Sequence, residues 1–181
     1  MKKKAFFLDR DGTVNVEVHY LHKACDTVLI DGAAEAVKAI HAAGYLAVII
    51  TNQAGIAKGY YGSEAVFEVY DELQRQLAAA CGENLDAMYY CPHGNNDGCT
   101  CRKPLPGMLL KAAEELDIDL AESYMIGDRP LDVVAGIAAG VKKSVMVTTG
   151  HGQEMLDKGA EVPEGGLLAP DLLSAVKILL E

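Results

Sequence analysis

Short apolar runs recur along the chain, separated by segments with helical spacing. Five of these runs read as strands: Lys4–Asp9 (KAFFLD), Tyr45–Thr51 (YLAVIIT), Asp86–Cys91 (DAMYYC), Ser123–Asp128 (SYMIGD) and Ser144–Thr148 (SVMVT). They scarcely alternate between apolar and polar residues, which is the pattern of parallel strands covered on both faces. Helical stripes lie between and after them. Ala33, Ala36, Val37 and Ile40 precede a stop at Gly44, and Val66, Tyr70, Leu73, Leu77 and Cys81 follow a candidate N-cap at Ser63. Pro106 opens a helix carrying Leu109, Ala112 and Leu116. The next carries Leu131, Val134 and Ala138, and the last, after Pro170, carries Leu172, Val176 and Leu179. Strands alternating with helices predict an α/β fold around a parallel sheet, in which ligands bind at the carboxyl ends of the strands. The Gly-rich segment Gly150–Ala169 predicts a mobile loop.

Composition narrows the function. A chain of 181 residues fits one domain. With 16 basic and 26 acidic residues its formal charge is −10, which argues against a nucleic-acid-binding face or an anionic membrane surface. A local basic pocket or a bound metal can still admit a small anion. The basic start is followed by only four apolar residues, Ala5–Leu8, well short of the roughly 7–15 of a secretory segment. The expected compartment is the cytoplasm.

Chemistry collects at the predicted strand ends. Asp9-Arg10-Asp11-Gly12-Thr13 closes the first strand, and two carboxylates there suit a divalent cation, although a polar strand-to-loop junction has the same look. Thr51-Asn52 closes the second and leads into Gln53-Ala54-Gly55-Ile56-Ala57-Lys58-Gly59, a loop able to offer hydrogen-bond donors to an anion or simply to turn. Gly127-Asp128-Arg129-Pro130-Leu131-Asp132 closes the fourth; its two acids read either as metal ligands or as helix N-terminal charges. In a parallel sheet these ends share one edge, and Lys103 is within reach of it.

The cysteines form a second cluster. Cys91, His93, Cys99 and Cys101 offer three thiolates and an imidazole, a set suited to a closed tetrahedral zinc site. Free thiols, or a strained Cys99–Cys101 disulfide, are the alternatives. Cys25 and Cys81 stand outside the cluster, with Cys81 on the apolar face of a helix.

Taken in order over residues 4–150, these blocks resemble the haloacid dehalogenase superfamily, and the cysteine loop resembles its zinc-loop branch. The resemblance implies a three-layer, Rossmann-like sheet without a separate cap domain, with a zinc-binding loop near 91–103. It implies Asp9 as nucleophile, Asp11 as general acid and then base, and Thr51, Asn52 and Gln53 around the phosphoryl group. Lys103 would neutralise phosphate charge and orient Asp9. Mg²⁺ would be held by Asp9, Asp128 and the Asp11 carbonyl, with Asp132 supporting Lys103 or a metal-bound water. Lys58, Arg102 and Arg129 are the candidates for a second, non-reacting phosphate, or are solvated surface charges. Segments 52–59, 102–108 and Val18–Lys23 resemble sugar-bisphosphate enzymes of this branch, whereas the five-residue gap from His93 to Cys99 matches its histidinol-phosphate type. A polynucleotide 3′-phosphatase and a non-enzymatic zinc-loop module are the other readings, and the net charge disfavours nucleic acid in both. The expected partner is a phosphorylated small molecule acting on a monomer, with no nucleic acid and no membrane.

Overall fold

The five expected strands are present in the computed structural model, which describes residues 2–181, with bounds within a residue or so of those predicted. They are β1 (Ala5–Leu8), β2 (Leu46–Asn52), β3 (Ala87–Cys91), β4 (Tyr124–Gly127) and β5 (Lys143–Val147). A sixth, β6 (Gly166–Ala169), joins them in a fully parallel sheet of order β3-β2-β1-β4-β5-β6. β1 sits between β2 and β4, with Phe6 level with Ala47 on one side and Tyr124 on the other. Sequential strands run outward from β1 in one direction up to β3 and in the other from β4, so the chain's loops part between β1 and β4. That switch point leaves a crevice at the carboxyl edge of the sheet.

The strands alternate only in which helix layer they meet. Phe6, Leu8, Ala47, Ile49 and Ile126 pack under α1 (Ala33–Ala42), α2 (Ser63–Cys81) and α6 (Leu172–Leu180). Ala5, Phe7, Val48, Ile50 and Met125 pack under α3 (Gly107–Leu116) and α4 (Pro130–Ala139). Both faces of the sheet are therefore apolar, which is why the strands read as unbroken runs.

Three expectations need correction. The segment Gly150–Ala169 is no unstructured loop: it holds α5 (Gly152–Asp157) and the edge strand β6. A four-residue strand with Leu168 about half exposed leaves no long apolar run to find. In α4 the buried face is Asp132, Val133, Ala135, Gly136 and Ala139, while Val134 and Ala138 face outward. The helix turns a carboxylate and a glycine inward because Asp132 serves the site and because Gly136 lies against Met125 and Ser144. Finally, Gly62 rather than Ser63 occupies the N-cap of α2, and Cys81 is only half-buried.

At the opposite edge from the strand ends, His41 in the last turn of α1 ties the layers together. Its Nδ1 lies 2.8 Å from Glu83 Oε2 and its Nε2 2.9 Å from Asp86 Oδ2, while Asp86 also accepts the Ala47 N–H at 2.7 Å. Desolvation opposes the charge, but the hydrogen bonds to Glu83 and Asp86 prevail and hold the imidazole above its ordinary value. A raised folded-state value stabilises fully below the unfolded value of about 6.5 and loses that contribution as pH rises through the folded one. The chain should thus lose stability relative to His41→Gln as pH rises above about 6.5, as measured by urea unfolding of the two proteins side by side.

Candidate active site

Asp9 leaves the end of β1 and is almost wholly buried, a position that only close counter-charge makes tolerable. Lys103 supplies it. Its side chain is 1% exposed, and the ammonium lies 2.7 Å from Asp9 Oδ1, 2.7 Å from Asp132 Oδ1 and 2.7 Å from the Ile50 carbonyl to which it donates. Desolvation alone would discharge this lysine, but Asp132 and Asp9 outweigh it and keep it protonated. Its backbone is fixed from β2: the Asn52 amide donates to the Lys103 carbonyl at 3.0 Å and accepts the Lys103 N–H at 3.0 Å. Asn52, expected at the phosphoryl group, has its amide engaged in holding that lysine.

Asp128 extends from the end of β4. Oδ2 accepts the His151 N–H at 2.7 Å, whereas Oδ1 is buried without a hydrogen-bond partner. Gly12 makes the close packing possible: its φ is +83°, and a Cβ there would collide with the Asp128 carboxylate. Asp132 closes the first turn of α4, its Oδ2 accepting the Arg129 N–H at 3.0 Å. Ligand oxygens of Asp9, Asp128 and Asp132 lie within 4.8 Å of one another. Burial pushes Asp9 up to about 7 despite Lys103, and burial with Asp9 beside it pushes Asp128 up to about 8. Three buried acids so close together, with one ammonium between two of them, could hold a divalent cation.

Asp11 is held differently. The buried Arg10 guanidinium grips both its oxygens at 2.9–3.2 Å, Asn15 donates at 3.1 Å, and Gln53 donates at 3.1 Å. Thr51 is buried at the end of β2 and accepts the other Gln53 proton at 2.9 Å. A cavity of about 350 Å³ opens over these groups. Glu17, His19, Tyr20, Arg102, Arg129 and His151 line it, with His151 Nε2 3.5 Å from Glu17 Oε1. Lys58 is absent from the walls; it is exposed and donates to the Tyr20 hydroxyl.

Sequence reasoning passed over Arg10, Asn15, Glu17, Tyr61 and His151. Arg10 had a signal, since a cation between two aspartates in DRD is available to compensate one of them. His151 acts through its backbone N–H, and Tyr61 through another side chain, so neither leaves a mark in the residue pattern.

Beside the cavity, β3 ends in Cys91, and the following hairpin folds back on it. Cys91 Sγ lies 3.5 Å from His93 Nδ1, 3.7 Å from Cys99 Sγ and 3.1 Å from Cys101 Sγ, and His93 Nδ1 lies 3.3 Å from Cys101 Sγ. None of the cysteines among the described residues is in a disulfide. Arg102 follows directly and donates to Asn95 Oδ1 at 3.0 Å and to the His93 carbonyl at 3.2 Å.

Carboxylates, a lysine and a hydroxyl converging on the switch point of this sheet define a phosphatase of the haloacid dehalogenase type, a phosphoric monoester hydrolase. The pattern of the HAD-hydrolase-like family matches residues 100–175. The D-glycero-β-D-manno-heptose-1,7-bisphosphate 7-phosphatase of Pasteurella multocida is 45% identical over 154 residues, 82% of this chain and 83% of its own. The protein of the same name from Escherichia coli K12 is 44% identical over 153 residues, 81% of this chain and 80% of its own. The crystal structure of D,D-heptose 1,7-bisphosphate phosphatase from B. bronchiseptica, complexed with magnesium and phosphate, matches with a TM-score of 0.89 and 36% identity over 98% of each chain. The chain belongs to the D-glycero-β-D-manno-heptose-1,7-bisphosphate 7-phosphatase family within that class.

Removing the ammonium should leave buried carboxylates facing one another. Lys103→Met should cost about 3–5 kcal/mol, the range for breaking one side of a buried ion pair, in chemical unfolding without divalent cation.

Proposed function

We propose that this chain hydrolyses the 7-phosphate of D-glycero-D-manno-heptose 1,7-bisphosphate in a Mg²⁺-dependent reaction through an aspartyl-phosphate on Asp9. The observation that carries the chemistry is the Asp9 carboxylate at the sheet's switch point, held by Lys103 beside Asp128 and Asp132. The substrate rests on the relatives named above and on the two arginines in the cavity wall.

Asp9 attacks phosphorus and forms the new O–P bond. The bond from phosphorus to the sugar oxygen breaks, and that oxygen takes a proton from Asp11. Asp11 then takes a proton from water, whose oxygen attacks phosphorus, releasing inorganic phosphate and restoring Asp9. Thr51 receives a phosphoryl oxygen at the end of β2, and Lys103 balances its charge. The buried, unpartnered Oδ1 of Asp128 fits a cation. Mg²⁺ would be held by Asp9, Asp128 and the Asp11 carbonyl, and when bound it offsets the repulsion between an anionic nucleophile and an anionic substrate. Asp132 acts by supporting Lys103, since its Oδ2 is already taken by Arg129.

Cys91, His93, Cys99 and Cys101 would hold a structural zinc. Their four ligand atoms lie within 4.8 Å of one another, and three thiols with one imidazole are a donor set that suits zinc. The Arg102 backbone N–H brings the Cys99 thiol down to about 7 in spite of desolvation, whereas burial pushes Cys91 up to about 12 and raises Cys101, so zinc would have to displace those protons on binding. Fixing this hairpin sets Arg102 at the cavity wall, where it suits the non-reacting 1-phosphate. Arg129 is the second candidate, and Lys58, engaged with Tyr20, is the weakest. Residues 1–181 would form one phosphatase domain, acting as a cytoplasmic monomer; no described helix is long and apolar enough to cross a membrane.

Phosphate release with Mg²⁺ should favour the heptose bisphosphate over histidinol phosphate and a 3′-phosphorylated oligonucleotide by roughly 100-fold or more in kcat/KM. Inactivity on all three would remove the reading. Asp9→Asn should abolish turnover with an unchanged circular dichroism spectrum. Elemental analysis of the purified protein should return about one zinc per chain, falling to none in Cys91→Ser with Cys101→Ser; a metal-free native protein would remove the zinc assignment.

A further inference from the structure

We infer that Gln53 and Tyr61 are positioning residues that aim the Asp11 carboxyl at the leaving oxygen, and that Gln53 is not a substrate ligand. The inference rests on the proposed acid role of Asp11 and extends it.

Gln53 is 3% exposed, and its amide is fully committed. Nε2 donates to Asp11 Oδ2 at 3.1 Å and to Thr51 Oγ1 at 2.9 Å, and Oε1 accepts from the Tyr61 hydroxyl at 2.7 Å. A phosphate oxygen needs a donor, and both protons of this amide are already used. The orientation of the amide follows from its partners. Arg10 and Asn15 also donate to Asp11, and the Tyr61 hydroxyl donates to Oε1, so in the state before Asp11 carries its proton the donor side faces Asp11.

The other groups on Asp11 belong to its own loop. Arg10 is its neighbour and Asn15 lies four residues on, so both move when the loop moves. Gln53 is 42 positions away, on the loop after β2. Among the described residues it is the one side chain outside that loop that donates to Asp11. It joins Asp11 to Thr51, so the group that gives the proton and the hydroxyl that receives the phosphoryl oxygen share a single planar amide.

Tyr61 keeps that amide in place. Its ring stacks on His22 with centroids 5.3 Å apart and planes 7° from parallel. It also lies against Gly55, where a Cβ would collide with the ring. The ring position is thereby determined by packing, and the hydroxyl by Gln53. In the first step the ester P–O bond breaks as the alkoxide takes the proton of Asp11. A carboxyl misdirected by a fraction of an ångström slows that transfer, which matters most when the leaving group is a poor one.

The test compares leaving groups. For Gln53→Met and Tyr61→Phe, kcat/KM is measured on the heptose bisphosphate, which expels an alkoxide, and on p-nitrophenyl phosphate, whose leaving group departs with little need of a proton. This ratio covers the steps up to departure of the leaving group and excludes hydrolysis of the aspartyl-phosphate. Gln53→Met should lose about 10–100-fold on the sugar and about threefold or less on the aryl ester. Tyr61→Phe, which retains the ring and its stacking, should show the same selectivity at about 3–10-fold, and it carries the test alone should Gln53→Met fail to fold. Equal losses on both substrates, or none, overturn the inference. Asp11→Asn separates the two layers of the argument. If Asp11→Asn shows the leaving-group selectivity and the other variants do not, the positioning role fails and the acid role stands. If Asp11→Asn shows no selectivity, the acid role fails and the inference with it.

Discussion

The Lys103 ammonium is the interaction on which the rest of this structure depends. One cation, almost free of solvent, is shared by Asp9, Asp132 and the Ile50 carbonyl. Each partner comes from a different part of the sheet edge: the end of β1, the first turn of α4 and β2. A buried charge tolerates little displacement, so the ammonium fixes the spacing of those elements as firmly as the apolar layers do. Its own backbone is clamped by Asn52, so the residue after the cysteine hairpin is tied to β2 twice, by its main chain and by its side chain.

The same cluster is unbalanced by design of its residues. Asp9, Asp128 and Asp132 face a single lysine, and Arg129 comes no nearer to Asp128 than 4.0 Å. Burial answers the imbalance by pushing Asp9 and Asp128 toward neutrality. A divalent cation bound there would answer it better, because it would let the carboxylates keep their charge while offsetting their mutual repulsion. The chain's net charge of −10 is thus a poor guide to what it binds. The acids at this edge could hold a cation, and Arg102 and Arg129 line the cavity above them.

The parts of the fold that were legible in the sequence are those governed by burial on both faces. β1, β2, β3, β4 and β5 lie in the middle of the sheet or carry a dense apolar run, and each was visible as one. β6 was not, because an edge strand of four residues needs no such run. In α4 the apolar stripe misled: Asp132 and Gly136 face inward for charge and for close packing, which hydrophobic spacing does not register. The site divides the same way. Asp9, Asp128, Lys103 and the cysteine cluster announce themselves by residue type at strand ends, and the structure brings the first three to one point and the cysteines to another. Asn52 and Gln53 do more than residue type suggests. It marks them as donors to an anion, and the structure shows their amides also bonded to Lys103, Asp11 and Thr51.

This last difference bears on how the site achieves selectivity without a separate cap. In this cavity both Gln53 N–H groups and one of Asn52's are engaged with the protein, which leaves few neutral side-chain donors. The charged groups of the lining include Arg102 and Arg129, together with Glu17 paired to His151 at 3.5 Å. Arg102 is itself held by Asn95 and by the His93 carbonyl, so the wall that meets the substrate is part of the cysteine hairpin. One residue further on, the same hairpin delivers Lys103 to the nucleophile. Loosening the hairpin would consequently disturb two things at once, the charge that keeps Asp9 in place and the arginine that lines the cavity. A closed four-ligand cluster at its base is the economical way to prevent that, since it stiffens a loop too short and too polar to form a core of its own.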